Sequence, residues 1–219
     1  MTFTLLFDLD GTLVDTEALH LRAFQVVFDR DIDMDHYASQ IAGRSNDRIM
    51  AAAFPDRSVE EHLALSERKE SLYRSFVGEL EPTPGLLELL EWAAKHSFPC
   101  AVVTNAPRAN ATLVLAALGL ADRFDCVVVG DEVGRAKPHP EPYLKALAAL
   151  GGAASSAVAF EDSLSGVSAA VAASLPTFGM MTTLGETTLL QAGAIRAIRD
   201  FRDGPLWDWL AARTNPKRA

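Results

Sequence analysis

The stretch FDLDGTLVDTE, residues 7–17, decides what fold and chemistry to expect of this chain. It follows directly on the apolar run FTLLF (3–7), so it marks the point where a buried strand ends. Two carboxylates, Asp8 and Asp10, stand two positions apart there. Ionised acids this close repel each other and are costly to bury unless a cation or a donor compensates them. The simpler explanation is an Asp-Gly turn after a strand, and the rest of the chain has to distinguish the two.

Short apolar runs recur along the chain and predict further strands. They lie at residues 98–103, 124–129, 157–160, 176–181 and 195–198. The runs at 3–7, 98–103, 124–129 and 157–160 are nearly continuous, which is typical of strands covered on both faces. Helical patterns separate them, at 84–95, 108–120 and 140–152. This alternation predicts an α/β fold with a doubly wound parallel sheet.

One long block breaks the alternation. Residues 16 to about 80 contain no convincing strand and only helical stretches, near 16–30, 46–54 and 58–77. The block ends at ELEPTPG (79–85), where two prolines and a glycine mark a boundary. We therefore predict a core domain of residues 1–14 and 83–219, into which a helical domain of residues 15–82 is inserted.

Composition and charge narrow the class of protein. The chain has 219 residues, 49% of them hydrophobic and 22% charged, as is ordinary for a globular protein. Its net charge of −9 argues against non-specific binding to nucleic acid or to an anionic membrane. No apolar run approaches the roughly 18 residues of a membrane span, and no signal-peptide pattern is visible. Two cysteines do not suggest a disulfide framework. We expect a monomeric, cytoplasmic enzyme with a small-molecule substrate.

Polar residues follow four of the predicted strands. In an open parallel sheet, ligands bind at the carboxyl ends of the strands, so these residues are expected to converge. Acids far outnumber bases among them, which favours a bound divalent cation, and an all-oxygen ligand set suits Mg²⁺. In chain order the set is Asp8 and Asp10, then Thr104 and Asn105, then Lys137, then Glu161 and Asp162.

These residue types suit phosphoryl transfer. Asp8 could attack a phosphoryl group and form an aspartyl-phosphate. Asp10 could protonate the leaving oxygen and later deprotonate water. Hydrogen-bond donors and one positive charge for the phosphoryl oxygens could come from Thr104, Asn105 and Lys137.

Each of these features also has an ordinary explanation. A Thr-Asn pair after a strand is a common turn, and a lysine before Pro138 is usually a solvated loop residue. The acids that end the fourth strand could instead cap the following helix, with Asp162 or Ser163 at the N-cap. The joint occurrence of these residues in this order makes coincidence the weaker explanation.

Four motifs of the chain resemble those of the haloacid dehalogenase-like phosphohydrolases, in order and spacing. They are DLDGT (8–12), the strand end VVTN (102–105), KPHPEPY (137–143) and FEDSLSG (160–166). The resemblance covers nearly the whole chain and implies a Rossmann-like core with an inserted helical cap. It also implies Asp8 as nucleophile, Asp10 as acid and base, and Thr104 and Lys137 as phosphate-binding residues.

The same resemblance implies a magnesium site. Asp8, the carbonyl oxygen of Asp10 and Asp162 would bind the ion, with Glu161 close by. Haloacid dehalogenases themselves do without the second aspartate and the metal. Asp10 and Asp162 therefore favour phosphate chemistry over dehalogenation.

The inserted block is similar to that of the β-phosphoglucomutase-like branch of the family. His20 and Lys69 match positions near that branch's catalytic and hexose-binding groups, although a solvated helix face is the ordinary explanation for both. Arg44 and Asn46 lie on the loop GRSN (43–46) and are further candidates for substrate binding.

Two departures from the mutase pattern favour hydrolysis. The mutase has an arginine at the end of its G-x-S-R loop, where this chain has Asn46. It also has a serine and a lysine after the second motif, where this chain has Ala106 and Pro107. We therefore expect a Mg²⁺-dependent phosphatase acting on small sugar phosphates, and the alternative is β-phosphoglucomutase-type transfer between sugar hydroxyls.

A signalling module is the alternative from another class of protein. Receiver domains of response regulators also gather acids, a hydroxyl and a lysine around Mg²⁺ on a parallel sheet. They are about half this length, lack an insert, and carry the phosphorylated aspartate on another strand. The position of Asp8 on the first strand argues against this alternative.

Overall fold

The apolar runs of the sequence become the strands of one parallel sheet. A computed structural model of the protein describes residues 2–41, 44–78 and 80–214. Its strands are β1 (Thr4–Phe7), β2 (Cys100–Thr104), β3 (Cys126–Val129), β4 (Ala157–Glu161), β5 (Thr177–Met180) and β6 (Arg196–Ile198). They lie in the order β3-β2-β1-β4-β5-β6, and every pairing is parallel. The predicted doubly wound sheet is confirmed.

The register of β1 with its two neighbours aligns the strand ends. Phe7 pairs with Val102 on one side and with Phe160 on the other. The rings of Phe7 and Phe160 stack with their centroids 4.9 Å apart. All four residues of β1 are buried, because the sheet is covered on both faces. The residues that follow β1, β2 and β4 consequently emerge at the same edge of the sheet.

Residues Thr16–Leu80 form a compact helical unit with its own apolar core. It contains α1 (Glu17–Phe28), α2 (Met34–His36), a π-helical turn (Tyr37–Ile41), α3 (Asn46–Ala53) and α4 (Val59–Phe76). A capping box starts α4: Ser58 accepts from the backbone of Glu61, and Glu61 accepts from the backbone of Ser58. The three predicted helical stretches are confirmed. The short α2 and the π-helical turn were not predicted, because no apolar periodicity marks them.

The rest of the chain, Met1–Asp15 with Glu81–Ala219, forms the core unit. Its helices are α5 (Leu86–Lys95), α6 (Arg108–Ala117), α7 (Glu141–Ala149), α8 (Leu164–Ala172), α9 (Glu186–Gln191) and α10 (Gly204–Thr214). Short 3₁₀ turns occupy Gly130–Glu132 and Ala154–Ser156. The predicted insert, residues 15–82, and the observed helical unit differ only at their ends.

Aromatic side chains join α5 and α10 to the sheet. The ring centroids of Trp92 and Trp207 are 5.8 Å apart in an edge-to-face arrangement, and Trp209 lies 5.3 Å from Phe178 of β5. The indole N–H of Trp207 donates to the carbonyl of Phe201 at 2.9 Å. Leu210 is fully buried, so α10 docks on the core.

Both cysteines are free, as expected. Cys100 is buried and Cys126 is half-buried. Burial raises the pKa of the Cys100 thiol to about 12, and the nearby Asp125 carboxylate acts in the same direction. Within the part of the chain described, no helix combines the length and the apolarity needed to cross a bilayer. The monomeric state and the cytoplasmic location remain predictions.

Candidate active site

The carboxyl edge of the sheet brings the predicted core residues together. Asp8 directly follows β1, Thr104 ends β2, and Glu161 ends β4, with Asp162 as the next residue. All four are buried. Burial of three acids at one edge of a sheet requires compensating charge or donors. An Asp-Gly turn does follow β1, at Asp10 and Gly11, but it does not account for the burial of Asp8 beside two other acids.

Lys137 supplies part of that compensation. Its Nζ donates to Asp8 Oδ1 at 2.6 Å, to Glu161 Oε1 at 2.6 Å and to the carbonyl oxygen of Val103 at 2.5 Å. An ammonium group has three protons, so these contacts use all of them. Only 3% of the side chain is exposed, which excludes the alternative of a solvated loop lysine.

Asn105 holds the backbone of Lys137. Its side-chain Nδ2 donates to the Lys137 carbonyl at 3.1 Å, and the Lys137 N–H donates to Asn105 Oδ1 at 3.2 Å. Thr104 is also part of a turn, since its hydroxyl oxygen accepts from the backbone N–H of Ala106 at 3.0 Å. Both residues thus shape the loop, and their roles in phosphate binding stay predictions.

The carboxylate of Glu161 is enclosed by protein. Its Oε1 accepts from Lys137 and from the hydroxyl of Tyr143, the latter at 2.5 Å. Its Oε2 is buried and, within the described part of the chain, has no hydrogen-bond partner. It lies against Gly166 of α8, where a Cβ would overlap the carboxylate. Glycine is required at residue 166 because the Glu161 side chain occupies the space of a Cβ.

Asp162 is held from two sides. Thr183, in the loop after β5, donates its hydroxyl to Asp162 Oδ2 at 2.5 Å. Gly11 packs against the same carboxylate with a φ of 77°, and a Cβ at Gly11 would overlap it. The neighbouring Ser163 is the N-cap of α8 and accepts from the Gly166 N–H at 3.0 Å. The capping explanation therefore holds for Ser163, whereas Asp162 belongs to the acidic cluster.

Three of the four acids predicted to bind the metal form one group of potential ligands. Each of Asp8, Glu161 and Asp162 offers a carboxylate oxygen, and these oxygens all lie within 4.8 Å of one another. The donors are all oxygen, and Glu161 also has a buried oxygen, Oε2, that finds no hydrogen-bond partner among the described residues. Both features fit a hard divalent cation. The Asp10 carboxylate is not in this group, and the family resemblance assigns only the Asp10 carbonyl oxygen to the metal.

The electrostatics of the acidic cluster also favour a bound cation. Burial raises the pKa of Asp8 to about 7, although the ammonium of Lys137 acts to lower it. Burial, followed by the charges of Asp8 and Glu161, holds the pKa of Asp162 well above its usual range. For Lys137, burial acts to lower the pKa, but Asp8 and Glu161 hold it above its usual value. One cation faces three acids, so further positive charge would stabilise their ionised forms.

Asp10 lies where the chain turns back after β1. It forms an isolated bridge with Val14, and the N–H of Gly11 donates to the Val14 carbonyl at 2.8 Å. The side chain is half-buried, and its charge acts to raise the pKa of Asp8. Partial exposure and closeness to Asp8 suit a residue that exchanges protons, and this role stays a prediction.

A second polar group lies within the helical unit. Lys69 Nζ is 2.8 Å from His20 Nδ1 and 2.8 Å from Glu70 Oε1, which also accepts from Asn46 Nδ2 at 2.6 Å. The His20 ring stacks on Tyr73 at 4.1 Å. Lys69 is only 3% exposed, so a solvated helix face is the wrong explanation for it. Three of the four residues predicted for substrate binding are thus connected: Lys69 contacts His20 directly and is joined to Asn46 through Glu70.

The fourth predicted residue of the helical unit, Arg44, is exposed, and its backbone N–H donates to the Ile41 carbonyl at 3.2 Å. Gly43, which begins its loop, lies outside the described residues. Sequence reasoning missed Glu70, because an acid beside a lysine on a helix is usually solvated. It also missed Tyr143, although this tyrosine ends the quoted motif KPHPEPY.

The fold and the site define an α/β protein with a buried nucleophile candidate, a paired lysine and an acidic cluster at the strand ends. The family model of the haloacid dehalogenase-like hydrolases matches residues 5–180. The chain therefore belongs to this family of hydrolases, which confirms the resemblance.

Relatives named as phosphatases match most of the chain. A phosphorylated carbohydrates phosphatase of Thermotoga maritima is 32% identical over 208 residues, which cover 89% of this chain and 93% of the relative. The fructose-1-phosphate phosphatase YqaB of Escherichia coli is 32% identical over 78% of this chain and 92% of its own length. The crystal structure of CbbY from Rhodobacter sphaeroides in complex with phosphate is similar with a TM-score of 0.80. It is 30% identical, and the match covers 93% of this chain and 96% of CbbY.

Proposed function

We propose that this protein is a Mg²⁺-dependent phosphatase that hydrolyses small phosphomonoesters, sugar phosphates above all. The observation that carries the proposal is the environment of Asp8, a buried carboxylate with Lys137 Nζ at 2.6 Å and two further acids around it. Relatives that are named as phosphatases of phosphorylated sugars support the reaction type and the substrate class.

The first half of the reaction transfers the phosphoryl group to Asp8. A carboxylate oxygen of Asp8 attacks phosphorus, and the bond from phosphorus to the ester oxygen breaks. Asp10 gives its proton to the departing alcohol oxygen. Lys137, fixed beside Asp8, balances the negative charge of the phosphoryl oxygens, and Thr104 lies on the adjacent strand end as a further donor.

The second half returns the enzyme to its starting state. Asp10, now ionised, takes a proton from water, and the water oxygen attacks phosphorus. The bond between phosphorus and the Asp8 oxygen breaks, which releases inorganic phosphate. Asp8, the Asp10 carbonyl oxygen and Asp162 would hold Mg²⁺, with Glu161 close by, and the bound ion would add positive charge at the phosphoryl oxygens.

The polar group of the helical unit is proposed to select the substrate. Lys69, His20 and Asn46 offer donors of the kind that bind sugar hydroxyls, and Arg44 adds an exposed charge. Asn46 is neutral and already pairs with Glu70, so it is a poor holder for a second phosphate. This favours hydrolysis over the alternative, a β-phosphoglucomutase-type transfer between sugar hydroxyls.

A panel of phosphoesters tests the proposal. Purified protein is incubated with hexose and pentose phosphates and with p-nitrophenyl phosphate, with Mg²⁺ or with EDTA, and released phosphate is measured. We expect Mg²⁺-dependent release that is fastest with a sugar phosphate. If no ester is hydrolysed and β-glucose 1-phosphate is converted to glucose 6-phosphate, the mutase alternative is correct.

A further inference from the structure

Tyr143 lies at the centre of the site, and the reaction described above does not use it. This residue of α7 is fully buried, and its hydroxyl donates to Glu161 Oε1 at 2.5 Å. The same oxygen accepts from Lys137 Nζ at 2.6 Å. The ammonium also lies 5.3 Å from the centroid of the Tyr143 ring. Tyr143 therefore contacts Lys137 directly through its ring and indirectly through Glu161.

The orientation of the Glu161 carboxylate depends on these contacts. Glu161 is fully buried, and none of the residues that the structure describes forms a hydrogen bond with its Oε2. Both donors to the group converge on Oε1, one from α7 and one from the loop that carries Lys137. Hydrogen bonds to a charged acceptor are strong, and buried polar networks reinforce one another. With one donor removed, the carboxylate has more freedom to turn.

We propose that Tyr143 is a positioning residue: through Glu161 Oε1 it fixes the ammonium of Lys137 at the distance from Asp8 that phosphoryl transfer requires. The inference rests on the proposed function, because it concerns the same site. Lys137 divides its protons between Asp8, Glu161 and the Val103 carbonyl. A displacement of Glu161 therefore alters the contact between Lys137 and Asp8.

The variant Tyr143→Phe removes the hydroxyl and keeps the ring. We expect kcat for the best substrate to fall about tenfold, with KM changed by less than about threefold. Thr177→Val is the matched control, because Thr177 is also fully buried and its hydroxyl donates to the Leu175 carbonyl, away from the site. The control is expected to lower Tm as much as Tyr143→Phe does and to leave kcat unchanged. Equal losses of kcat in both variants would mean that only stability is affected.

A double-mutant cycle tests whether Tyr143 acts through Glu161. If it does, Tyr143→Phe causes less than about a twofold further loss of kcat in a Glu161→Gln background. A full tenfold loss in that background overturns the inference. If Glu161→Gln does not fold, the positioning role of Tyr143 is tested by Tyr143→Phe alone: a loss of kcat with little change in KM supports it, and an unchanged kcat overturns it.

Binding of orthovanadate gives a readout that does not need turnover. Vanadate adopts the geometry of the transferring phosphoryl group, and calorimetry with Mg²⁺ present measures its affinity. We expect Tyr143→Phe to bind vanadate about tenfold more weakly than the wild type and Thr177→Val to bind it equally well.

The two proposals fail in different ways. If the wild type hydrolyses no ester but the vanadate difference is found, the proposed function is wrong and the role of Tyr143 stands. If the wild type hydrolyses sugar phosphates and Tyr143→Phe matches it in kcat and in vanadate affinity, only the role of Tyr143 is wrong. If the wild type neither hydrolyses an ester nor binds vanadate, both proposals are wrong.

Discussion

The side chain of Asp8 lies among groups of both signs. Burial raises its pKa to about 7, Lys137 attracts its negative charge, and Glu161 and Asp10 repel it. A residue in such surroundings is held in place more by its neighbours than by solvent. Its chemistry and its effect on stability can therefore be separated by a substitution that preserves shape and removes only the charge.

Asp8→Asn is such a substitution. The amide oxygen can still accept from Lys137, but an amide does not form the aspartyl-phosphate, so we expect turnover to fall by at least about a thousandfold. The melting temperature should stay the same or rise, because a repelled buried charge is removed. Phosphate release and calorimetric unfolding measure the two effects. Retention of a tenth of the wild-type activity would show that Asp8 is not the nucleophile.

The two cysteines should differ in reactivity. Because burial raises the pKa of Cys100 to about 12, only about 1 in 10,000 of its thiols is ionised at pH 8. Cys126 is half-buried, and its pKa is raised less. We expect iodoacetamide to label Cys126 first in the folded protein and Cys100 only after unfolding, as mass spectrometry would show. Rapid labelling of Cys100 at pH 8 would contradict the structure.

Single residues differ in how far the sequence reveals them. Lys137 is predictable because a motif carries it and because acids at strand ends need a counter-charge. Glu70 and Tyr143 are not, because their contacts with Asn46 and with Glu161 are tertiary. Local spacing cannot show such a contact. The candidate site residues are thus easier to predict than the residues that hold them in place.

Among the elements, α8 approaches the sheet so closely that Glu161 lies against its backbone. Gly166→Ala should therefore force the carboxylate to move, with a loss of about 1–3 kcal/mol in the free energy of unfolding and a marked loss of kcat. Gly204→Ala is the control, since nothing lies within 4 Å of a Cβ there. Denaturant unfolding and phosphate release measure both variants. A Gly166→Ala protein as stable and active as the control would rule out this close contact.

The helix α4 carries the buried lysine of the helical unit. Lys69→Met keeps the length of the side chain and removes its charge, so we expect kcat/KM for a sugar phosphate to fall about tenfold. Hydrolysis of p-nitrophenyl phosphate should change by less than about threefold, since this ester has no sugar to select. The neighbouring Arg68 is exposed, and Arg68→Met should affect neither substrate. If both esters lose activity equally, the helical unit does not select the substrate.

Elements with strong apolar patterns were predictable, and weakly patterned ones were not. The apolar runs lie within a few residues of the six strands found in the described part of the chain. Four of the runs are nearly continuous, because a sheet covered on both faces leaves no polar alternation. The helix α4 begins at a capping box that is visible in the sequence. The short α2 and the π-helical turn Tyr37–Ile41 lack such signals, and their shape depends on packing within the helical unit.

At the scale of the whole molecule, the acidic cluster joins β1 to β4 and the loop after β5. A cation that binds only the folded state should therefore stabilise the protein. At a hundredfold excess over Kd we expect Mg²⁺ to add about 2.7 kcal/mol, which raises Tm by roughly 5–10 °C for a chain of this size. Calorimetry with Mg²⁺ and with EDTA measures the shift.

Asp162→Asn provides the control for this shift, since it removes one ligand and leaves the amide oxygen within reach of Thr183. The shift caused by Mg²⁺ should shrink to about 1 °C or less in this variant. A full shift in Asp162→Asn would place the ion elsewhere. No shift in the wild type would argue against a metal at this edge.

The overall organisation was predictable because the motifs occur in the order of the strands that carry them. Parallel strands deliver their carboxyl ends to one edge, so residues as distant in sequence as Asp8 and Asp162 meet without any local signal. The contacts among them, such as the three acceptors around Lys137, depend on distances of a few tenths of an ångström. No pattern of residue types encodes those distances.

The aromatic packing of α5 and α10 has a practical consequence for spectroscopy. All three tryptophans of the chain, Trp92, Trp207 and Trp209, belong to the core unit. Emission excited at 295 nm therefore reports on the melting of that unit alone and is blind to changes within residues 16–80. Replacing Phe28 or Phe54 by tryptophan would give the helical unit a fluorophore of its own, and its loosening could then be followed separately.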